Sequence, residues 1–358
     1  MAKFFKYHRR NNHGFVLIFV LWTIIILMIV GASFMFRSKS HRQSLSHFQK
    51  SILYKQYSKN GILLSMSKIQ QDTNKFDHAS ERDPQDTIHY KTQKIKNIIT
   101  VTDIGSLFNV NFTPMNLIRQ TPHITEEVIN IIQKFRSESH LITHLYEIDP
   151  TYKNHLWASF LTVYGTPNLN TTPPPLIYTF LQSKGVSTDK RSLIIQGLND
   201  LHNSRRNSDI QENKGRFSDT LRSEDIKNAF KDNPLPILDQ IPLKSGININ
   251  TAPSEVLVPL LKSLGLSSAE IKHVQLYIQD SPFYNNLDFD EEEQDILAPN
   301  IIKVLQEHLS FHTSFYRIVS ELVSENEERV LLKTEAILQK NLLESSLRII
   351  YWIVVNYD

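Results

Sequence analysis

The chain contains no cysteine among its 358 residues. Disulfide bonds and thiolate metal sites are therefore excluded, and cysteine usage gives no information about the redox compartment. Glycine is also scarce, with ten residues of which no two lie closer than twelve positions apart. This spacing excludes Gly-rich phosphate-binding loops and the Gly-x-Ser-x-Gly nucleophile motif. Because no other nucleophile motif is present, we predict that the chain is not an enzyme.

Acidic residues are absent from the first 14 residues, which contain four basic ones, namely Lys3, Lys6, Arg9 and Arg10. The whole chain has a formal net charge of +2, so without these four positive charges the remainder carries −2. A slightly acidic chain is poorly suited to a polyanion as its main partner, and we expect no nucleic acid to be bound. The length indicates about two domains beyond any anchor.

A 22-residue uncharged stretch, Phe15–Phe36, is the strongest positive signal in the sequence. As a helix it would be roughly 33 Å long at ~1.5 Å per residue, close to the ~30 Å hydrocarbon core of a bilayer. The basic residues before it place residues 1–14 in the cytoplasm and send the rest of the chain across the membrane. We therefore expect a single-pass membrane protein whose bulk lies on the far side of the membrane from the cytoplasm.

The stretch is compatible with a cleaved secretory signal, an uncleaved anchor or a prepilin-like signal. A secretory signal has a shorter apolar core that ends at small residues. Here the small residues at positions 31–33 are followed by further apolar ones, while Gly14 and Phe15 lie at the cytoplasmic edge. A basic leader, a Gly, a Phe and about twenty apolar residues resemble a prepilin, which a membrane peptidase cuts after the Gly.

An internal repeat follows further along the chain. Three segments begin alike, namely 109–114 (NVNFTP), 168–173 (NLNTTP) and 248–253 (NINTAP), and the last two align at an offset of 80 residues without a gap. Each predicts an apolar-periodic helix, a turn and a second helix. Proline suits the first helical turn, an upstream Thr or Ser can cap that helix, and a Gly fits the turn between the helices.

The remaining pattern predicts an α+β fold. Residues 37–71 continue the apolar helix, residues 71–95 are a polar loop, and residues 98–102 form a strand. Residues 199–245 are a polar insertion with a short helix near 223–230. Near the end, the pattern predicts a helix at 301–308, a hairpin of strands 315–322 and 330–338, and a third strand at 347–357.

The chain resembles the K-type minor pseudopilins of type II secretion systems (general secretion pathway protein K). The resemblance rests on the Gly14/Phe15 junction with its apolar helix, on residues 103–111 (DIGSLFNVN), on residues 247–257 (ININTAPSEVL) and on the strand beginning SFYRI at 314–318. It covers nearly the whole chain in the family's order. The departures are a Lys- and Asn-rich, Gly-poor composition and the insertion at 199–245.

The resemblance implies a pseudopilin-like α+β domain, formed by 37–105 and 310–358, with an all-α domain inserted at 106–309. It also implies cleavage between Gly14 and Phe15, methylation of Phe15, and a role in capping or starting a pseudopilus together with I- and J-type subunits at an inner-membrane assembly platform. Most pilins have Glu at the fifth mature position, where it pairs with a neighbour's ammonium group. Here that position is Phe19, which suits a subunit at the tip, because an unpaired carboxylate in lipid is costly.

An acidic run at 288–295 (DFDEEEQD) supplies four candidate calcium ligands, namely Asp288, Asp290, Glu291 and Glu292. Oxygen ligands suit Ca²⁺, and some members of the family carry calcium. The spacing is not that of an EF-hand, and the default interpretation of the run is a solvated helix start, where the helix dipole favours acidic residues. His140 and His144 have zinc-pair spacing, but Leu141 replaces the Glu of an H-E-x-x-H motif, so we predict an ordinary helix or loop there.

DNA-binding helix-hairpin-helix proteins also contain Asn-x-Asn-Thr-Ala followed by a helical hairpin. The alternative function is therefore a membrane-anchored protein for DNA binding or uptake. Those proteins bind phosphate through a Gly-x-Gly hairpin. The corresponding turns here contain one glycine each, Gly185 and Gly265, so we favour a scaffolding role for the hairpins.

Overall fold

A computed structural model describes residues 13–72, 85–91, 94–170, 172–212, 223–230, 246–280, 283, 297–326, 329–341 and 346–356. The chain divides into two compact units, Met1–Tyr57 and Ser58–Asp358. The described residues combine a long apolar N-terminal helix with further helices and a sheet, which confirms the predicted α+β class.

Helices and strands follow one another in runs along the described part of the chain. Its helices are His13–Gln71 (α1), Met115–Ile118 (α2), Glu126–Ser137 (α3), Pro174–Ser183 (α4), Thr188–Glu212 (α5), Ser223–Ala229 (α6), Ser254–Ser263 (α7), Ser268–Asp280 (α8) and Pro299–His308 (α9). Its strands are Gln85–Tyr90 (β1), Ile95–Asp103 (β2), Phe108–Asn109 (β3), Leu161–Thr162 (β4), Phe315–Ser324 (β5), Val330–Asn341 (β6) and Ser346–Asn356 (β7). Short 3₁₀ turns lie at Leu145–Glu147, Tyr152–Asn154 and Leu156–Ser159.

The main sheet has five antiparallel strands in the order β1-β2-β5-β6-β7. Strand β2 pairs directly with β5, in a register that runs from Ile95 opposite Ser324 to Asp103 opposite Tyr316. Residues 104–314 therefore leave the sheet at the end of one strand and return at the start of its neighbour. The predicted hairpin of β5 and β6 is confirmed by their antiparallel pairing.

The C-terminal end of α1 packs on one face of this sheet. Ile62 and Ile69 are buried against apolar side chains of β2, β5 and β6. The Ser58 hydroxyl lies within hydrogen-bond distance of two strand hydroxyls, at 2.9 Å from Ser320 Oγ and 2.7 Å from Thr334 Oγ1. These buried hydroxyls satisfy one another, so the polar contact does not leave unpaired groups in the core.

Two further apolar cores lie in the segment between β2 and β5. The larger one combines the first and third repeats with α9 and includes the fully buried Phe108, Trp157 and Phe283. The smaller one surrounds α4 and α5 of the second repeat. Phe112 joins it from the first repeat, with its ring edge against Phe180 at a centroid distance of 5.8 Å.

Two sequence-based predictions about loops are wrong in part. Residues 71–95 are not all loop, because β1 pairs along β2, with Thr87 opposite Ile98 and Tyr90 opposite Ile95. The polar composition of this edge strand does not indicate a β-strand. Its pairing with β2 stabilises the strand conformation nevertheless. The predicted insertion at 199–245 begins inside a helix, since α5 continues to Glu212. The short helix predicted near 223–230 is confirmed as α6.

We predict that Gly61→Ala destabilises the protein although alanine is the better helix former. A Cβ at Gly61 would lie 2.4 Å from Asn97 Nδ2 and 3.0 Å from Ile99 Cδ1, and both side chains are buried. Overpacking of this kind costs typically 1–3 kcal/mol, more than the ~1 kcal/mol gained in helix propensity. We expect a net loss of about 1 kcal/mol in urea unfolding of the full chain in detergent, followed by tryptophan fluorescence, to which the buried Trp157 contributes.

Gly246→Ala is the matched control, because no atom of the described residues lies within 4 Å of a Cβ built there. Its unfolding midpoint should stay within experimental error of the wild type. Equal midpoints for the two variants would show that α1 does not approach the sheet as closely as described.

Candidate functional site

The apolar part of α1 is exposed throughout the described residues of its own unit. Large apolar side chains from Leu17 to Phe36 face outward, including Leu17 at 70% exposure, Phe19 at 66% and Phe36 at 75%. Thr23, a polar residue within this stretch, donates its hydroxyl to the Phe19 carbonyl oxygen at 2.8 Å. Its hydrogen-bonding capacity is thus met inside the helix, as an apolar environment requires.

By length and composition, α1 is long and apolar enough to cross a membrane. A signal sequence near an N-terminus would meet the same criterion. Gly14 and Phe15 lie within the first turns of α1 as its backbone is described. Their predicted processing is not tested by these contacts and stays a prediction.

The three Asn-x-Asn segments form the same local turn. In each, the side-chain oxygen of the first asparagine accepts a hydrogen bond from the backbone N–H two residues later. The pairs are Asn109 with Asn111, Asn168 with Asn170 and Asn248 with Asn250, at 2.8, 2.8 and 3.0 Å. Asparagine favours this Asx turn, which explains why this residue type recurs at the start of each copy.

The second asparagine of the first and third copies holds a distant segment. Asn111 accepts from the Ile142 N–H at 2.8 Å and donates to the Ile142 carbonyl at 2.9 Å. Asn250 makes the same two bonds to Phe283, at 2.9 and 3.0 Å. The side-chain amide of the second asparagine thus pairs like a backbone peptide in a β-bridge. It closes a loop of about thirty residues in the first and third copies.

One threonine position distinguishes the third copy from the others. In the first two copies, the N–H of the first asparagine donates to the hydroxyl of Thr113 or Thr172 at 2.9 Å. The third copy has Ala252 at this position. There the buried N–H of Asn248 donates instead to Ser106 Oγ at 3.1 Å. The missing hydroxyl is therefore supplied by a residue 142 positions earlier in the chain.

Asp103, at the end of β2, joins the sheet to this third copy. Its Oδ1 accepts from the N–H groups of Gly105 and Ser106, at 2.9 and 3.1 Å. Its Oδ2 accepts from three hydroxyls, those of Ser106 and Thr251 at 2.5 Å and that of Thr313 at 2.6 Å. One half-buried carboxylate thus connects the strand leaving the sheet, the repeat and the segment returning to the sheet. We call Asp103, Gly105, Ser106, Thr251 and Thr313 the Asp103 junction.

The predicted helix caps need correction. The prolines before α2, α4 and α7 occupy the N-cap position with extended backbone, one residue before the first turn, and no side chain caps these helices. The hydroxyls of Thr113 and Thr172 instead accept from the N–H of the asparagine four residues earlier. The predicted C-terminal glycines are confirmed, since Gly185 and Gly265 have φ values of +75° and +88°.

The backbone amides of these two turns are used within the chain. Gly185 and Val186 donate to carbonyls of α4, and Gly265 and Leu266 donate to carbonyls of α7, at 3.0 to 3.2 Å. This is the Schellman pattern that ends a helix. A phosphate bound by hairpin amides would have to displace these bonds, so the geometry does not favour a DNA-binding hairpin.

Arg136, on α3, holds the first Asn-x-Asn turn in place. Its Nε and Nη2 both donate to the Val110 carbonyl, at 2.8 and 2.6 Å. Burial lowers the pKa of Arg136 to about 10, which still leaves it charged at neutral pH. The residue has a structural role in holding the turn.

The four candidate calcium ligands lie in a part of the chain that the structure does not describe. Asp288, Asp290, Glu291 and Glu292 lie outside the described residues, and the described ranges contain no cluster of three metal-ligating side chains. Calcium binding therefore stays a prediction.

The two histidines with zinc-pair spacing, His140 and His144, lie in the loop after α3, as predicted. His140 Nε2 is 3.8 Å from Glu147 Oε2, while the His144 ring lies against Tyr351. Burial alone would raise the pKa of Glu147, but hydrogen bonds from Thr143 and His144 and the charge of His140 lower it. The carboxylate thus closes a local turn.

No family model and no curated protein matches this chain. Among solved structures, the chain is similar to "The Crystal Structure of the GspK-GspI-GspJ complex from enterotoxigenic Escherichia coli Type 2 Secretion System". The match covers 88% of this chain and 99% of that chain, with 11% sequence identity and a TM-score of 0.35. That complex contains a protein of the family that the sequence motifs resemble. The identity is too low to transfer the role of any residue.

Sequence reasoning missed the Asp103 junction. The segment Asp103–Ser106 belongs to residues 103–111, on which the family resemblance rests, and its Asp-x-Gly-Ser order is typical of an Asx turn. That signal predicts the two local bonds to backbone N–H groups. It cannot predict Thr251 and Thr313, which lie 148 and 210 positions away in the sequence.

We predict that Asp103→Asn destabilises the protein by about 3 kcal/mol. The amide that replaces Oδ2 cannot accept from three hydroxyls, and hydrogen bonds to a charged group contribute about 1.5–3 kcal/mol each before partial compensation. The measurement is urea unfolding of the full chain in detergent.

Asp149→Asn is the control for Asp103→Asn, because the described contacts of its carboxylate are local. Oδ1 accepts from Thr151 and survives the change, and Oδ2 lies 3.1 Å from His155 Nε2. A loss for Asp103→Asn no larger than that for Asp149→Asn would contradict the junction.

We also predict that a threonine at position 252 partly rescues the loss of the Ser106 hydroxyl. In the Ser106→Ala variant, the buried Asn248 N–H loses its partner. Ala252→Thr would supply one in the way that Thr113 and Thr172 do. We expect the double variant to recover about 1 kcal/mol, the typical value of one hydrogen bond.

Ala252→Val in the same background is the control, because valine has the shape of threonine without the hydroxyl. If valine rescues as well as threonine, the gain comes from packing and the assigned equivalence of the three copies is wrong.

Proposed function

We propose that this chain is a K-type minor pseudopilin of a type II secretion system, located at the pseudopilus tip, where it caps or starts assembly. The observation that carries the proposal is the uncovered apolar helix that begins at Gly14 and Phe15. Its exposed side chains need a bilayer or the helices of sibling subunits around them. The role is mechanical, and no enzymatic activity is assigned to the chain.

The proposal includes processing and location. The prepilin peptidase cleaves between Gly14 and Phe15 and methylates Phe15. The protein then sits in the inner membrane, with its N-terminus cytoplasmic and its bulk periplasmic. Phe19 supports the tip position, because it is apolar and exposed where most pilins need a carboxylate to meet a neighbour's ammonium group.

The inserted helical domain, which we interpret as helix-hairpin-helix-like repeats, is proposed as a scaffold. Its hydrogen-bonded turns support this role over the alternative of DNA uptake. Tight, salt-sensitive binding of duplex DNA by the full chain would favour the alternative instead.

The proposed partners are the I- and J-type minor subunits and the inner-membrane assembly platform. Strand β7 supports contact with a sibling subunit, since it pairs with β6 alone among the described strands. Its exposed apolar side chains are Ile349, Ile350, Trp352, Ile353, Val354 and Val355. An edge strand with unpaired backbone groups and an apolar surface is typical of an interaction site.

The test of this function is the mass of the mature N-terminus in cells with and without the prepilin peptidase. We expect a chain that starts at methylated Phe15, and only with the peptidase present. Gly14→Leu should leave the leader attached and abolish secretion, because the peptidase requires the small residue. Ala32→Leu, a matched change near the far end of the apolar stretch, should be processed normally.

Two results would contradict the proposal. An intact Met1 terminus in peptidase-positive cells would indicate a plain anchor. A cut after Ala32 or Ser33 would indicate an exported soluble protein.

A further inference from the structure

Charge is distributed very unevenly along this chain. All 37 acidic residues lie beyond Gln71, whereas eleven of the 39 lysines and arginines lie before it. Three of these follow directly after the apolar stretch, namely Arg37, Lys39 and Arg42, and all three are exposed on α1. No ion pair joins them to any described residue of their unit. Residues 1–57 contain no acidic residue, so their own unit supplies these three cations with no counter-charge.

These cations surround the helix. At about 100° per residue, Lys39 and Arg42 project roughly 200° and 140° around the axis from Arg37. They therefore lie on the side opposite Arg37, within one and a half turns of helix. A single protein partner would meet a stripe on one side, whereas charges on opposite sides suit surroundings that enclose the helix.

Their depth matches the headgroup layer of a bilayer. Counted from Phe36, the last apolar residue, Arg37 and Arg42 lie roughly 1.5 and 9 Å further along the helix. The polar layer on each side of a ~30 Å hydrocarbon core is about 5–8 Å thick. Lysine and arginine side chains extend several ångströms and place their charge at that level.

We propose that Arg37, Lys39 and Arg42 form a basic collar that binds the phosphate groups of anionic phospholipids where α1 leaves the hydrocarbon. The inference rests on the proposed membrane span but not on the pseudopilin role. The collar holds the subunit at a fixed depth before assembly. These lipid contacts have to be released when the helix leaves the bilayer.

The test uses the full chain in nanodiscs of phosphatidylcholine with one-fifth phosphatidylglycerol. Native mass spectrometry gives the composition of the lipids that stay bound after the disc is disrupted. Each Lys or Arg near an anionic surface contributes about 1 kcal/mol, which corresponds to roughly fivefold. We expect phosphatidylglycerol to be enriched about fivefold over its share of the disc.

Paired variants isolate the collar from the leader, whose four basic residues are the same in both. Lys39→Gln/Arg42→Gln should lower the enrichment below that of the wild type, and the part due to Arg37 and the leader should remain. Lys50→Gln/Lys55→Gln removes the same charge but lies roughly 20 Å or more beyond Phe36, about two Debye lengths at 0.1 M salt, and should keep the wild-type enrichment.

Several results would overturn the collar. These are equal enrichment in both variants, no enrichment in the wild type, and removal of the enrichment by millimolar inorganic phosphate at constant ionic strength, which would indicate a general phosphate site. A chain that fails to enter nanodiscs would refute the membrane span itself. A chain that enters without lipid preference would refute the collar alone.

Discussion

The apolar side chains between Leu17 and Phe36 need an apolar environment, and no described residue of their own unit provides one. Burying one such side chain contributes about 1.5–3 kcal/mol, so a stretch of this length is not stable in water. The requirement for lipid or for neighbouring helices follows from the sequence alone. The proposed location, processing and partners all depend on it.

The second unit meets the opposite requirement, since it builds its own cores. The chain leaves the sheet after β2 and returns to it at β5, and two apolar cores form in between. The Asp103 junction ties the departing strand, the third repeat and the returning segment to one carboxylate.

The helices, the hairpin and the repeat could be predicted from sequence because apolar periodicity and turn residues act locally. Strand β1 and the continuation of α5 could not, since the polar composition of both is typical of a loop and β1 is defined by its pairing with β2. The junction was equally inaccessible. Local chemistry indicates that Asp103 starts a turn, but only the fold brings Thr251 and Thr313 to it. Ala252, which stands where the other two copies have threonine, is explained only by the fold, because Ser106 replaces the missing hydroxyl beside Asn248.

The most direct test of the central claim is to find what surrounds the apolar helix in a cell. The chain has no cysteine, so a single Val20→Cys substitution gives a clean site for a bifunctional maleimide. In cells with a complete secretion system and a cysteine in the first helix of the I-type subunit, the account predicts a covalent pair of the two proteins. An unlinked chain, or one linked only to a second copy of itself, would contradict it.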